Sequence, residues 1–362
     1  MFKKSLAAVA VLGAFAANSM AADVTLYGVA DFGFIYTNVE NVSADDATKA
    51  EGLRLDSGVN AGSRFGLKGT EDLGNGYKVS FNLENAFNAD DGTLDGGRLF
   101  NREAIATISN DQWGSLTFGR TGGIGSAAGS FDVAFGIADA FDGGDGDILG
   151  LFTTTRIDNS VTYMSPAIGG FQVVAQYSFK MDNVEDSFGV ANDVQKEGHA
   201  SANRYASFGV AGGVGALQLV AGYEQIMKSD TIDPGAENAD AKVVTVGGNY
   251  DFGVAKLFAA AQYVENVPAE ILHVEGLVID GTAYHLGAQI PAAGGTVTTG
   301  LYWNDVESEG VGAEYLGGSV KYEYPLSART TVYTSAGYAV QEIDGLDDIK
   351  TTQAYLGLTH TF

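Results

Sequence analysis

The sequence predicts an all-β fold: a 16-stranded antiparallel transmembrane β-barrel with one joint folded inward as a constriction loop. An export signal opens the chain, two-residue alternation of apolar and polar side chains runs through the rest of it, and turn-rich joints alternate between short and long. Period-two apolar residues facing lipid are stable only when the backbone closes its hydrogen bonds into a cylinder.

Lys3 and Lys4 precede an apolar run from Leu6 to Ala17, and Asn18-Ser19-Met20-Ala21 supplies a small-x-small cleavage pattern, the layout of a secretory signal. The run has 12 residues, too few to cross a hydrocarbon core of about 30 Å as a helix. We therefore expect a signal peptide over residues 1–21 and one barrel over residues 22–362. No later stretch reads as a membrane helix. Without Lys3 and Lys4 the remainder has 18 basic and 45 acidic residues, a formal charge of −27, which argues against nucleic acid as a partner. The absence of cysteine removes disulfides, thiolate metal sites and thiol nucleophiles. A composition of 50 Gly, 17 Tyr and 20 Phe against 5 Pro suits strands that face lipid on one side and water on the other.

The barrel region divides into sixteen alternating segments. Val24 to Tyr36 sets Leu26, Gly28, Ala30, Phe32, Phe34 and Tyr36 against Thr25, Tyr27 and Asp31, and places the acid in the lumen. Ser63 to Gly69 points Phe65 and Leu67 out and Arg64 and Lys68 in; the Glu71 to Gly76 joint then reads as a hairpin turn. Tyr77 to Phe87 sets Tyr77, Val79, Phe81 and Leu83 against Lys78, Ser80, Asn82 and Glu84. Segments at 100–109 and 114–121 come next, and in the second Leu116, Phe118 and Arg120 share a parity, so alternation breaks at a bulge or an intersubunit wall. Arg156 to Tyr163 sets Ile157, Val161 and Tyr163 against Arg156, Asp158 and Ser160, and Phe171 to Lys180 repeats the pattern. The remaining segments are 202–212, 216–226, 241–251, 254–264, 281–290, 295–304, 314–324, 329–340 and 351–362, ending on Phe362.

Short joints, such as Ser165 to Gly170 and Pro291 to Gly295, read as periplasmic turns, and long ones, such as Asn38 to Gly58, Asp305 to Ala313 and Gln341 to Lys350, as external loops. The external loops are acidic: Glu40, Asp45, Asp46 and Glu51; Asp182, Glu185 and Asp186; Asp230, Asp233, Glu237 and Asp240; Asp344, Asp347 and Asp348. The longest joint, Gly122 to Thr155, has 34 residues and carries Asp132, Asp139, Asp142, Asp145 and Asp147. That length lets it fold into the lumen. Lumen-parity arginines Arg64, Arg102 and Arg156, with Arg120, are the candidates to face it.

Asp23-Val24-Thr25-Leu26-Tyr27-Gly28, Ser63-Arg64-Phe65-Gly66-Leu67-Lys68-Gly69, Phe100-Asn101-Arg102, Leu116-Thr117-Phe118-Gly119-Arg120, the block from Arg156 to Pro166 and the final His360-Thr361-Phe362 resemble the signature blocks of Gram-negative general porins of the neisserial and burkholderial type. The resemblance covers Asp23 to Lys180 and the C-terminus. It implies a trimeric barrel in the cell outer membrane, a basic wall facing the constriction loop, and a C-terminal aromatic, here Phe362, read by the barrel-assembly machinery. Outer-membrane lipid and lipopolysaccharide would surround it, and ions and small hydrophilic solutes would pass through it. Acids on the loop and bases on the wall would create a transverse field. The wall arginines that the resemblance implies would favour anions, whereas the charge of −27 and the acidic loops put a negative potential at the mouth that is screened over about 8 to 10 Å and mainly biases entry; weak selectivity with a slight preference for cations is expected.

An enzyme reading has little support, because His199, His273, His285 and His360 lack metal-ligand spacing and no nucleophile elbow or phosphate loop is present. No cofactor is expected. The Asp139 to Asp147 segment offers oxygens to Ca²⁺ but lacks the terminal Glu of an EF-hand. A substrate-selective channel shares the architecture and differs in lumen residues, and a surface adhesin is the third alternative.

Overall fold

The computed structural model describes residues 24–41, 48–146, 148, 150–181, 197–229, 239–268 and 278–362. The expected signal peptide, Asp147, His273 and the loop acids Asp45, Asp46, Asp182, Glu185, Asp186, Asp230, Asp233 and Glu237 lie outside the described residues. One antiparallel sheet closes on itself. Its ladders are β1 (Thr25–Asn41), β2 (Thr48–Ser57), β3 (Arg64–Gly74), β4 (Tyr77–Ala86), β5 (Glu103–Asn110), β6 (Gly114–Gly122), β7 (Arg156–Met164), β8 (Phe171–Ser178) and β9 (Arg204–Val214). They continue as β10 (Leu217–Met227), β11 (Ala241–Asp251), β12 (Lys256–Pro268), β13 (Val278–Ala292), β14 (Gly295–Ser308), β15 (Val311–Ser327), β16 (Thr330–Ile343) and β17 (Ile349–Thr361). Each pairs with its neighbour in sequence, apart from the β1 to β3 junction, and β1 pairs with β17. β2 and β3 both pair with β1, over Phe32–Asn41 and Thr25–Val29 respectively. The seventeen ladders therefore make sixteen staves, as the alternation predicts.

Glycine-bearing turns set the register at several hairpins. Asn75-Gly76 (φ 55° and 79°) joins β3 to β4 and Ala293-Gly294 (φ 49° and 82°) joins β13 to β14, the left-handed pair whose twist matches that of the flanking strands. Several external joints are shorter than the sequence suggests. Glu309-Gly310 (φ 51° and 81°) is a tight turn inside the expected Asp305 to Ala313 loop, and the Gln341 to Lys350 loop contracts to the five residues between β16 and β17. The ladders continue past the hydrocarbon, where both faces are wet and Asp305, Glu307 and Glu314 take positions that apolar residues hold lower down. Alternation fades there although pairing does not.

The parity break at Arg120 is a bulge. Register between β6 and β7 shifts between Gly119 and Thr121, and Gly119 sits at φ 124°, where a Cβ would overlap the Ala104 carbonyl oxygen. Such a bulge re-aims the next side chain, and it brings Arg120 to lumen partners. A second irregularity falls at Asn159 (φ 50°). Ile157, outward by alternation, is instead wholly buried against Met181 and Tyr205.

Closure falls between the chain ends. β1 and β17 run in continuous register from Val29↔Thr361 to Asn41↔Ile349, and Gly28 and Phe362 exchange backbone N–H···O bonds of 3.0 Å in both directions. The Phe362 ring lies over Gly28, where a Cβ would overlap it. Substituting Gly28→Val displaces that ring from the seam without removing it. We expect G28V and deletion of Phe362 to reduce alike the yield of heat-modifiable folded barrel in outer membranes, with wild-type conductance in the molecules that do assemble.

Candidate pore constriction

The basic wall gathers Arg64 at the start of β3, Arg102 immediately before β5, Arg120 after the Gly119 bulge of β6 and Arg156 at the start of β7. Arg102 Nε donates to Glu84 Oε1 at 2.6 Å, and Arg64 Nε lies 3.6 Å from Glu84 Oε2. Arg120 Nη1 donates to Asp158 Oδ1 at 2.6 Å and its Nε to the Asn101 carbonyl at 2.7 Å. Arg98 Nη1 spans both Asp158 oxygens at 3.0 and 2.8 Å. Arg156 stands within electrostatic reach of Arg102 and Arg120, and among the described residues its buried Nε has no partner. The structure thus gathers all four predicted arginines and adds Arg98. That residue lies beyond any strand, in the 88–99 joint, so alternation could not find it. Each bridging carboxylate is shared by two guanidiniums, which leaves the rung net positive.

The constriction loop lines the opposite half of the barrel. Among its described residues it contains one short helix, α1 (Phe135–Ala138), and its Phe135, Ala138, Phe141, Ile148, Leu151 and Phe152 form a buried cluster with Val220, Val243, Phe258, Ala260, Ile279, Tyr302, Val306 and Tyr315 of the wall. Polar side chains of successive strands pin its backbone. Glu103 accepts Ser130 N and Oγ at 2.6 and 2.9 Å. Glu224 accepts Gly125 N at 3.2 Å and Thr154 Oγ1 at 2.8 Å, holding both roots of the loop. Asn249 donates to the Ile137 carbonyl at 2.7 Å. Gln262 accepts Phe152 N at 2.8 Å and donates to its carbonyl at 3.1 Å.

The loop acids divide between anchors and lumen. Asp139 accepts Tyr302 OH at 2.8 Å, beside His285 at 3.3 Å, while His285 Nε2 accepts Ala140 N at 3.1 Å. Asp145 accepts the hydroxyls of Ser319, Ser335 and Tyr355. Both carboxylates are buried against the wall, away from the arginines. Asp132 is half-buried and caps α1 by accepting Phe135 N at 3.1 Å; Asp142 is exposed. Among the described residues no three acidic or histidine side chains come together as a metal cluster. The wall anchors escaped sequence reasoning, although inward-parity polar residues on β11, β12, β13, β15 and β16 (Asn249, Gln262, His285, Ser319, Ser335) were there to be read.

A lipid-facing apolar exterior, a polar interior and an inward loop opposite a charged rung define a diffusion channel of the outer membrane. The chain belongs to the Gram-negative porin family, whose model matches residues 7–344. An outer membrane porin protein of Bordetella pertussis is 32% identical over 99% of this chain and 100% of its own length. The major outer membrane protein P.IB of Neisseria gonorrhoeae is 28% identical over 94% of this chain and 95% of its own. Among solved structures, an anion-selective porin from Comamonas acidovorans aligns with TM-score 0.65 at 24% identity, covering 94% of this chain and all of that one.

Burial first, then the hydrogen bond and charge of Asp142, push the Asp132 carboxyl up to about 8. At neutral pH it keeps its proton, and raising pH through that value adds a negative charge to the loop. In a planar bilayer under a salt gradient, the reversal potential should therefore move toward cation preference between pH 6 and pH 9.5, and Asp132→Asn should abolish the movement.

Proposed function

We propose that this porin is a weakly selective general diffusion channel, assembled as a homotrimer and exported by a cleaved signal over residues 1–21. The observation that supports it best is the division of labour among lumen charges. Asp139 and Asp145 are consumed in holding the loop, so the transverse field comes chiefly from Arg64, Arg98, Arg102, Arg120 and Arg156. That rung favours anions at the narrowest level, while the acid-rich mouth favours cations, and the two oppose each other. Weak net selectivity follows. A related fold, a Vibrio cholerae outer membrane protein, is described in a trimer form, which supports self-association here. Lipopolysaccharide around the rim and the barrel-assembly machinery, reading Phe362, complete the expected partners. The reading assigns transport and no catalysis, and no cofactor.

The net positive rung, five arginines around Glu84 and Asp158, favours one second reading, a channel with a preferred anionic solute. Flux measurements separate the two: linear, size-limited flux supports general diffusion, and saturation supports the selective channel. Single-channel recording of the detergent-extracted protein should show three equal closing steps and a reversal potential near zero under a salt gradient. Arg102→Ala with Arg156→Ala should move that potential toward cations. Strong selectivity of either sign in the wild-type pore would contradict the proposal.

A further inference from the structure

The second stave is interrupted in a way that neither a simple bulge nor the constriction loop explains. Ser57 stands opposite Phe32 and Arg64 opposite Val29, so the six residues 58–63 face only Ala30 and Asp31 of β1. An ordinary bulge carries one extra residue. Here the excess closes into a tongue whose neck is Gly58 and Gly62: Gly58 sits at φ 72°, and a Cβ on it would lie 3.1 Å from Gly62 Cα.

The side chains that hold the tongue, among them Asp31, Tyr333, Tyr355, Arg64, Lys321 and Glu323, face the lumen. Asp31, with no exposed surface, is its post: the Asp31 carbonyl accepts Gly58 N at 3.1 Å, Oδ1 accepts Asn60 N at 3.1 Å, and Ser63 Oγ accepts Asp31 N at 3.0 Å. Val59 packs on Ile35, Tyr333 and Tyr355. On one side the Gly62 carbonyl accepts Arg64 Nη1 at 2.9 Å, which ties the tongue to the basic rung. On the other, Asn60 Oδ1 accepts Lys321 Nζ at 2.8 Å and its Nδ2 donates to Glu323 Oε1 at 3.1 Å, across the β1–β17 seam. Lys321 also lies over the Phe141 ring of the constriction loop, 5.5 Å from its centroid.

We propose that residues 58–62 form a second, fixed constriction element, and that Lys321, held by Asn60, is a specificity-determining cation on the side of the lumen away from the arginines. The proposal rests on the reading of this barrel as an open pore. The tongue narrows the lumen from the β1 side, aims Arg64 through the Gly62 carbonyl, and joins the arginine rung to the constriction loop through Lys321.

The test compares the wild-type trimer with a variant lacking Val59–Ala61, with Lys321→Met and with Asn60→Ala, by single-channel recording and reversal potential in planar bilayers. Removing 59–61 should raise conductance outside the wild-type distribution. Lys321→Met should move the reversal potential toward cations, and Asn60→Ala should move it too, with the double variant N60A/K321M no further shifted than K321M, because the two side chains act as one unit. If the shortened chain fails to assemble, the two point variants decide. Wild-type conductance and reversal potential in both K321M and N60A would overturn the inference while leaving the pore reading intact. A wild-type protein that conducts nothing would overturn the pore reading itself.

Discussion

Closure of the backbone hydrogen-bond ladder is the constraint on which the rest of this molecule depends. Hydrocarbon offers no partner to a free N–H or C=O, and each unsatisfied group there costs several kcal/mol, so a sheet spanning the membrane has no edge to spare. The cost is avoided by pairing the first strand with the last, from Val29↔Thr361 to Asn41↔Ile349. That pairing brings the two ends of the sequence together, and it makes the smallest residue type at position 28 and an aromatic at position 362 into a matched pair on the lipid side. With the ladder closed, side-chain alternation alone decides what faces lipid and what faces water.

The interior is a lumen on one side and a packed core on the other. Phe135, Ile148 and Phe152 are almost fully enclosed, and the apolar surface they remove from water stabilises the loop at about 25 cal/mol per Å². Polar anchors then fix its position, since buried acceptors such as Asp139, Asp145 and Glu224 are costly unless every oxygen finds a donor. Both oxygens of Asp139 are met by Tyr302 and the loop's own amides, and both of Asp145 by three hydroxyls, while Tyr205, Thr154 and Gly125 converge on Oε1 of Glu224. The loop is consequently part of the wall, and the aperture is set by rigid surfaces on both sides. Burial also explains why acids that look like field-generating groups in the sequence turn into fasteners in the fold.

Much of the architecture was legible in the sequence because period-two alternation is a direct record of which face meets lipid. Tyr77 to Glu84 and Leu26 to Phe34 could be assigned residue by residue, and so could the inward aim of Arg64 and Asp31. Where a residue's direction depends on a break in the alternation, sequence reasoning reached its limit. The bulge at Gly119 carries Arg120 inward, Asn159 buries Ile157, and the tongue at Gly58–Gly62 was hidden between a joint and a strand. The orientation of Asp139 and Asp145 depends on wall partners far away in sequence, and Arg98 enters from outside any strand. Strand extensions such as Asp305–Ser308 read as loop because their outward positions are charged above the lipid.

Hydrogen–deuterium exchange of the folded, detergent-extracted protein tests the closed ladder most directly. The account predicts that amides of residues 29–35 and 354–361 are protected as strongly as those of β12 and β13 on the far side of the sheet. Rapid exchange along β1 or β17, as expected of a strand with a free edge, would contradict it.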